Sequence, residues 1–511
     1  MFRMRTRLRF ALAIGVCAIG VSTPGAAQST LPSAGTIHVS SRLVVLDVSV
    51  VDQSGHFVAG LDKSQFNVTE GGVPQIIRYF EGSTQHTLPP GKLIVRSSAD
   101  LTKIGNAPVT ILVLDELNTP FADRSYAQQM MVRYLLRQPA VMPSPTLLLA
   151  AGDARISVLH DYTQDRDGLL DSVRHHFPDY PWTMMRQGTG DQMSRTLGAL
   201  DQIADSSRGT TGRKNVVWVG TGYPSVDETG MSAQDAQELN AAIEIVLRKM
   251  MEARVTLYTL DPGGPQVTPP AQVITGSGAT SAGTGPALGP FDPNDVDFVT
   301  FATSTGGRVL FARNDVDTEI SEEVAEGRDY YTLSYVPTSE STDAQAYRQI
   351  RVTMKDPHLT ATTRHGYFTA PAAVDKVQTD PKKMQPQQLS FDMMSAAKTN
   401  LIYNGLHVEA VRSTSGYSVL VGAHEMHWTS GADGQRTAEF TVLAIAYSAK
   451  GKALGEHAEE LTEQIAPNDS IERGRRITLS FPFAVPAQTD HVRLVVRDAG
   501  NAAIGTANAR P

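Results

Sequence analysis

The stretch VTILVLDELNT, from Val109 to Thr119, decides the fold of this chain. Its first six residues are apolar except for Thr110, and a continuous apolar run predicts a strand buried on both faces of a parallel sheet. The run ends in a carboxylate, an amide and a hydroxyl, those of Asp115, Asn118 and Thr119. In open α/β sheets, ligands bind beyond the carboxyl ends of such strands. We therefore expect these side chains at a ligand-binding edge, where their oxygens could hold a hard divalent cation.

Alternating strand and helix patterns continue from this run to about residue 371. Apolar runs such as VVWV and VTLYTL predict buried strands, and AAIEIVLRKMM has apolar side chains at helical spacing. Asp123 is the expected N-cap of the first helix. The alternation predicts an α/β fold, a doubly wound and mostly parallel sheet, over residues 107–371. A Gly- and Pro-rich loop at residues 262–293 interrupts this domain.

Both flanks of this domain have β-strand patterns. LVVLDVSVVD has apolar residues at alternate positions, and FNVTEGGVPQIIRYFE contains the Gly71–Gly72 pair of a hairpin. Residues 35–90 and 389–511 are predicted to form N-terminal and C-terminal β-sandwich domains, with one short helix near residues 390–399. Residues 372–388 form a polar linker in this interpretation. A chain of 511 residues exceeds one hydrophobic core, which agrees with several domains.

The first 27 residues have the layout of a secretory signal peptide. Four arginines precede the apolar run ALAIGVCAIGV, and small residues follow it at Gly25 and Ala27. We expect export to the periplasm, cell surface or medium with no transmembrane segment in the mature chain; a retained anchor is the alternative. The single cysteine, Cys17, lies here, so no disulfide framework is expected. The net charge of −8 disfavours a nucleic-acid partner.

Six blocks of sequence follow one another in a recognisable order: VLDELNTPF, SVLHDYTQDRDGLL, GRKNVVWVGTGYPS, LYTLDPGG, ATSTGGRVLFARNDVD and DYYTLSYVP. Taken together, they resemble the von Willebrand factor A-related family, and more narrowly a branch of secreted bacterial proteins abundant in acidobacteria. The resemblance covers roughly residues 44–371. It implies a doubly wound sheet with a metal-ion-dependent adhesion site at the C-terminal strand edge, where Mg²⁺ or another divalent cation binds a partner's carboxylate.

The adhesion site of that family combines an Asp-x-Ser-x-Ser loop with a Thr and an Asp from two further loops. Asp115 and Thr119 match the first Asp and the second Ser, whereas Leu117 replaces the first Ser. Asn118 could add an oxygen from an off-register position, and Thr221 stands where the last Asp is expected. The metal site implied by the resemblance is therefore degenerate. With one carboxylate fewer, it would bind a hard cation more weakly.

The residues after the strand also have a purely structural interpretation, in which Asp115 and its neighbours accept backbone N–H groups of their own loop. The metal hypothesis has further candidates for the missing ligands: Thr196 for a hydroxyl, and Asp227 or Glu228 for a carboxylate. The two interpretations differ in one requirement. A binding site needs an accessible face at Asp115 and Thr119, and a capped loop does not.

Histidine clusters are the other polar candidates. His424, Glu425 and His427 form HEMH, whose spacing differs from the helical zinc motif; in a strand, the two histidines would lie on opposite faces. We interpret them as cross-strand polar residues. His175 and His176 end the short helix pattern RDGLLDSVRHHF, where we expect them to complement its C-terminal partial charge.

The motifs favour binding over catalysis, because neither a nucleophile elbow nor a phosphate-binding loop occurs in the sequence. The leading hypothesis is an exported, non-enzymatic protein of adhesion type that presents its loop edge to a protein partner. The alternatives are a metal-independent scaffold or envelope-assembly module, and an unrecognised hydrolase. Its candidate contacts are Asp115, Asn118, Thr119 and Thr221, together with the loop aromatics Tyr180 and Trp182.

Overall fold

The computed structural model describes residues 43–88, 93–152, 156–177, 189–222, 233–262, 298–310, 316–338, 347–368, 386–431, 434–472 and 474–511. Arg42–Pro511 form one compact unit. The predicted signal peptide, nearly all of the Gly- and Pro-rich loop and most of the linker lie outside the described residues. None of the helices in the described ranges is long and apolar enough to span a membrane.

The strands are numbered in chain order. They are β1 (Val44–Val51), β2 (Phe66–Glu70), β3 (Val73–Gln75), β4 (Ile77–Glu81), β5 (Val109–Asp115), β6 (Val141–Ala151), β7 (Ile156–Asp165), β8 (Lys214–Val219), β9 (Val255–Leu260), β10 (Val309–Leu310), β11 (Tyr331–Tyr335), β12 (Tyr347–Met354), β13 (Thr360–Thr362), β14 (Gly366–Phe368), β15 (Val408–Arg412), β16 (Gly416–Gly422), β17 (Thr429–Ser430), β18 (Arg436–Tyr447), β19 (Ala453–Ile465), β20 (Arg476–Pro482), β21 (His491–Asp498) and β22 (Ile504–Ala509).

The α-helices are numbered in the same way, and the described residues before β5 also form three short 3₁₀ helices. The α-helices are α1 (Phe121–Arg137), α2 (Arg166–His175), α3 (Thr189–Ser207), α4 (Ala233–Glu252), α5 (Phe298–Ser304), α6 (Val316–Arg328) and α7 (Pro386–Lys398). The 3₁₀ helices are Lys63–Gln65, Ser83–His86 and Ser98–Lys103.

A six-stranded, mostly parallel sheet forms the α/β part of the chain. Its strand order is β10-β9-β8-β5-β6-β7, and only β7 runs antiparallel to its neighbour. This confirms the predicted mixed α/β fold with a mostly parallel sheet. The order reverses between β5 and β8, so the carboxyl ends of these two strands form the switch point at which doubly wound sheets bind ligands.

Helices cover both faces of this sheet, and the apolar side chains of β5 pack alternately against the two layers of helices. Ile111 and Val113 lie in a core with residues of α3, α4 and α5. Leu112 and Leu114 lie in a second core with residues of α1, α2 and α6. The alternation of the β5 side chains between two cores is the period of two that strand geometry imposes. The sheet is thus held from both sides.

The start of α1 differs from the sequence expectation. The N-cap is Pro120, without a side-chain cap, and Asp123 already lies in the first helical turn with its N–H donating to the Pro120 carbonyl. Asp123 as N-cap was therefore wrong. The preceding loop sets the helix start, and a carboxylate in the first turn still faces the partial positive charge of the helix.

Two four-stranded sheets, β13-β1-β11-β4 and β14-β12-β2-β3, enclose one apolar core, and we call them the first two-sheet module. β1–β4 precede the α/β part in the sequence, whereas β11–β14 follow it. β1 pairs with β11, with Leu46 opposite Leu333, and β2 pairs with β12. The expected boundaries at 35–90 and 107–371 differ from this arrangement, because residues 331–368 complete the N-terminal module and the α/β part is an insertion in it.

A buried polar network joins this module to the α/β part. Arg254, in the turn between α4 and β9, forms an ion pair with Asp47 of β1 and donates to Thr332 Oγ1 of β11 at 2.9 Å. Its Nη1 donates to the Thr211 carbonyl at 2.6 Å. Burial favours a higher pKa at Asp47, but the Arg254 guanidinium outweighs burial and holds this pKa below its usual value. The ion pair between Arg254 and Asp47 fixes the amino ends of the parallel strands against β1.

The C-terminal part contains a second two-sheet module. Its sheets are β15-β16-β20 and β17-β18-β21-β22, with β19 also paired to β18, and they share an apolar core. α7, which begins near the expected helix at 390–399, packs beside β21 and β18. Met393 and Ala396 of α7 belong to the same core as residues of α3 and α4. This apolar contact attaches the second two-sheet module to the α/β part.

Replacing Asp47 by Ala tests the network. We expect a loss of about 3 kcal/mol in the free energy of unfolding at pH 7, because a buried guanidinium loses its partner. The pKa of Asp47 is lower in the folded state than its unfolded value of 3.8. The stabilisation that its carboxylate gives the folded state is therefore fully present above pH 3.8 and is lost as the pH falls below that value. The difference between wild type and Asp47→Ala should therefore shrink in urea denaturation at acid pH.

The control for this experiment is Asp171→Ala, whose side chain is 73% exposed. That variant should lose less than about 0.5 kcal/mol at either pH. Equal losses in the two variants, or a difference for Asp47→Ala that does not change with pH, would contradict the role of the pair.

Candidate functional site

The structure brings the four residues of the predicted metal site together at the switch point. Asp115, Asn118 and Thr119 follow β5, and Thr221 lies in the turn after β8. The Thr221 N–H donates to Thr119 Oγ1 at 3.1 Å, which links the two loops directly. The contacts of their side-chain oxygens decide whether a cation could bind here.

The Asp115 carboxylate accepts four hydrogen bonds. Oδ1 accepts from the backbone N–H groups of Leu117 at 3.0 Å and Asn118 at 2.9 Å. Oδ2 accepts from the indole N–H of Trp218 and the backbone N–H of Gly222, both at 3.1 Å. A carboxylate offers about four lone-pair sites, so each one has a donor. Asp115 is 2% exposed.

Thr119 and Asn118 are also held inside. Thr119 is 0% exposed, and Asn118 Nδ2 donates to Thr196 Oγ1 of α3 at 2.9 Å. Thr196 in turn donates to the Gln192 carbonyl at 3.0 Å. The candidate hydroxyl of the second loop therefore does lie beside Asn118. Asn118 Oδ1 is buried and has no hydrogen-bond partner in the part of the chain described.

The residues as arranged do not fit a divalent cation. The accessible face that binding requires is missing at Asp115 and Thr119, and a cation would meet four N–H groups that point their partial positive charges at the same carboxylate. Within the described ranges, no group of three or more His, Cys, Asp or Glu side chains is placed to hold a metal ion. The geometry agrees with the structural interpretation, in which Asp115 caps its own loop.

Four of the sequence candidates cannot be placed. Asp227 and Glu228, proposed as replacement carboxylates, lie outside the described residues. Tyr180 and Trp182, proposed as interface aromatics, do so as well. Their roles remain predictions.

Two glycines in the turn after β8 allow this packing. A Cβ atom on Gly220 would lie 2.2 Å from Asp115 Cβ and 2.5 Å from Thr119 Oγ1. A Cβ atom on Gly222, whose φ is 68°, would lie 2.1 Å from the Phe298 ring. The backbone of the turn therefore lies directly on the Asp115 loop. It occupies the space above the carboxylate that a cation would need.

A polar pair that sequence reasoning missed lies beside the Asp115 loop. His176 Nε2 and Glu116 Oε1 form a close hydrogen bond. Glu116 is 6% exposed, and the His176 carbonyl accepts from Gln128 Nε2 of α1 at 2.9 Å. His176 had been expected to complement the end of α2; its ring instead reaches the loop after β5. No spacing rule connects residues sixty positions apart, so only the fold shows this pair.

A cleft of about 710 Å³ opens next to this pair, between the sheet edge and the second two-sheet module. Glu116 and His176 lie on one side, and α7, β18 and β19 supply the other side. Two exposed aromatic residues occur at the same edge of the α/β part: Phe121 at the start of α1 is 62% exposed, and Phe177 after α2 is 85% exposed. Sequence patterns did not single out either residue.

The HEMH segment lies in a turn after β16 rather than in a strand, so the expected strand geometry was wrong. Glu425 Oε2 accepts from the His407 backbone N–H at 2.6 Å, and Glu425 Oε1 lies 2.5 Å from His407 Nδ1. The His427 backbone N–H donates to Asp498 Oδ2 at 2.8 Å. β16 ends at Gly422, which places the whole segment in the following turn. These residues connect strands of the second two-sheet module.

No family model matches this chain, and neither does any curated protein. Solved structures similar to part of it include an aerotolerance-related membrane protein from Bacteroides fragilis NCTC 9343, with 12% identity over 43% of this chain and 98% of that chain and a TM-score of 0.25. BatB from Bacteroides thetaiotaomicron has 10% identity over 43% and 97%, with a TM-score of 0.23. The VWA domain of SpRpn10 has 16% identity over 30% and 74%, with a TM-score of 0.19.

These similarities are too weak to support an argument about function. The fold assignment rests on the strand order, which agrees with the doubly wound sheet implied by the resemblance to the von Willebrand factor A family.

Replacing Asp115 by Asn tests whether the carboxylate is a structural hub. We expect a loss of at least about 3 kcal/mol in the free energy of unfolding, because the amide group presents N–H donors to the N–H donors already there. Asp490→Asn, a change at a 55% exposed side chain, is the matched control and should leave stability almost unchanged. A fully stable Asp115→Asn variant in chemical denaturation would refute the structural role.

Proposed function

We propose that this chain is an exported, non-enzymatic protein that binds a protein partner through the loop edge of its α/β part, without a metal ion. The observation that carries the proposal is the exposure of two aromatic side chains, Phe121 and Phe177, at the edge where doubly wound sheets bind ligands. Aromatic side chains are enriched among the residues that anchor protein interfaces.

The neighbouring geometry supports a rigid binding edge. The four hydrogen bonds to Asp115 hold the loop between β5 and α1, and Phe121 follows that loop directly. The hydrogen bond between His176 and Glu116 holds the end of α2, which Phe177 follows. Both rings are therefore presented by backbone whose position is fixed by buried polar contacts, and a preorganised surface loses less entropy on binding.

The remaining parts of the proposal come from the sequence. The pattern of residues 1–27 supports export to the periplasm, cell surface or medium, and the resemblance supports an adhesion-type or envelope-assembly role. We interpret the two-sheet modules as β-sandwich domains that hold the α/β part. In this interpretation the first module contacts the amino ends of the parallel strands, and the carboxyl ends are left to the partner.

The test replaces both aromatic residues by Ser and measures partner capture. The wild-type protein, with a C-terminal affinity tag, is cross-linked in an exported-protein and envelope fraction of the source cells. We expect a defined protein species that is captured at least tenfold less by Phe121→Ser/Phe177→Ser. Val411→Ser, a 57% exposed apolar position in β15, is the control and should capture the same amount as wild type.

Thermal denaturation of the three proteins accompanies this experiment, because exposed positions should not affect folding. Equal capture by the double variant and wild type would refute the proposed edge. Loss of capture by Val411→Ser alone would move the contact surface to the second two-sheet module.

A metal-dependent version of the same edge is the second candidate. It is favoured by one observation: Asn118 Oδ1 is buried without a partner among the described residues, and an amide oxygen is a suitable ligand for Mg²⁺ or Ca²⁺.

Calorimetric titration distinguishes the two versions. With Mg²⁺, Mn²⁺ or Ca²⁺ added to wild type and Asn118→Ala, the metal-independent version predicts no binding of about millimolar affinity or tighter that depends on Asn118, because the neighbouring carboxylate has no free lone pair. Binding in wild type that disappears in Asn118→Ala would establish the metal-dependent version and overturn our proposal. The variant keeps Asp115 and its four donors, so its fold is expected to persist.

A further inference from the structure

A second cavity lies at the opposite end of the α/β part from the candidate site. It has a volume of about 240 Å³ and lies between the end of α4 and strands β1 and β14 of the first two-sheet module. Three arginines line it, Arg248, Arg254 and Arg364, together with one acid, Glu252. The charge of its wall is therefore positive.

Arg248 is the unusual member of this group. It is 6% exposed, yet it makes no hydrogen bond or ion pair with any residue that the structure describes. The next residue, Lys249, shows what α4 does with a cation elsewhere: its Nζ lies 2.7 Å from Asp201 and 2.9 Å from Asp205. The same helix thus fully pairs one buried cation and leaves the adjacent one facing the cavity.

The other charged groups of the cavity do not neutralise Arg248. Arg254 is paired with Asp47, and Arg364 donates to the Val45 carbonyl at 2.9 Å. Glu252 lies 3.6 Å from Arg208. Asp47 and Glu252 thus form ion pairs with arginines other than Arg248.

One further acid lies near Arg248. Glu244, one helical turn earlier on α4, interacts electrostatically with Arg248. Burial raises the pKa of Glu244, against the opposing effect of Arg248.

Arg248 exposes little surface, and its guanidinium lies at the wall of the cavity without a protein partner among the described residues. A guanidinium stays protonated at every pH at which proteins are folded. A planar guanidinium matches the geometry of a carboxylate or a phosphate, with which it forms two parallel hydrogen bonds. The volume of the cavity is about that of eight waters at ~30 Å³ each, which leaves room for one such group and its hydration.

We propose that this cavity binds a small oxyanion, a phosphate or a carboxylate group, with Arg248 as the principal ligand and Arg364 as the second cation. The oxyanion would reach the seam between the α/β part and the first two-sheet module, and its binding would stabilise that seam. The site is independent of the proposed partner edge, because it lies at the amino ends of the parallel strands.

The test compares anions by thermal denaturation and calorimetry at constant ionic strength. Inorganic phosphate and acetate are titrated separately into the full chain, with chloride as the reference ion. We expect a saturable rise in the melting temperature with at least one oxyanion and a stoichiometry near one. The phosphate and acetate arms show which of the two groups the cavity prefers.

Two variants locate the site. Arg248→Gln should weaken oxyanion binding at least tenfold, and Arg351→Gln, a change at an exposed arginine of β12, should leave it unchanged. Arg248→Met should unfold in chloride at the same temperature as wild type or higher, because it removes an unpaired buried charge, and it should show no response to oxyanions.

Three results would overturn the proposal. The first is an equal effect of all anions, including chloride. The second is an oxyanion response that persists in Arg248→Gln. The third is a marked loss of stability of Arg248→Met in chloride, because that would show that the guanidinium already has a stabilising partner in the protein.

Discussion

The architecture depends on the antiparallel pairing of β1 with β11, two strands separated in sequence by the whole α/β part. Leu46 and Leu333 face each other in this pair, and Asp47 beside Leu46 holds Arg254 of the inserted sheet. One strand therefore both closes the first two-sheet module and fixes the amino ends of the parallel strands. The entropy of closing so long a loop grows only slowly with its length, which makes such an insertion affordable once the core is large.

This attachment has a consequence for the other end of the sheet. The second two-sheet module packs against α3, α4 and α7, so contacts with two modules hold the α/β part. The loop edge after β5 and β8 lies at the other end of the parallel strands. There Asp115 is held by its surroundings: the backbone N–H groups of Leu117 and Gly222 both donate to its carboxylate. These donors fix the loop after β5.

Local pattern was sufficient to predict the parallel sheet, because β5, β8 and β9 are mostly apolar and are buried along their whole length. It was insufficient for the first module, where β1 and β11 read as strands but nothing local indicates that they pair. The candidate site shows the same limit. Asp115 was found from its place after a buried strand, whereas the donor Trp218 and the pair between Glu116 and His176 depend on contacts between distant segments. The sequence shows which residues carry polar groups, but the fold decides which of these groups find hydrogen-bond partners.

Asp115 and Arg248 differ in whether the fold provides hydrogen-bond partners for their charged groups. Both are charged and almost completely buried, but Asp115 has a donor at each lone pair and Arg248 has no partner among the described residues. A buried charge whose hydrogen bonds are all made inside the protein stabilises structure, and one whose hydrogen bonds are not made favours a ligand of opposite charge. By this criterion, the residue that resembles a binding site in sequence is structural. The arginine that no motif singled out has the physical properties of a binding residue.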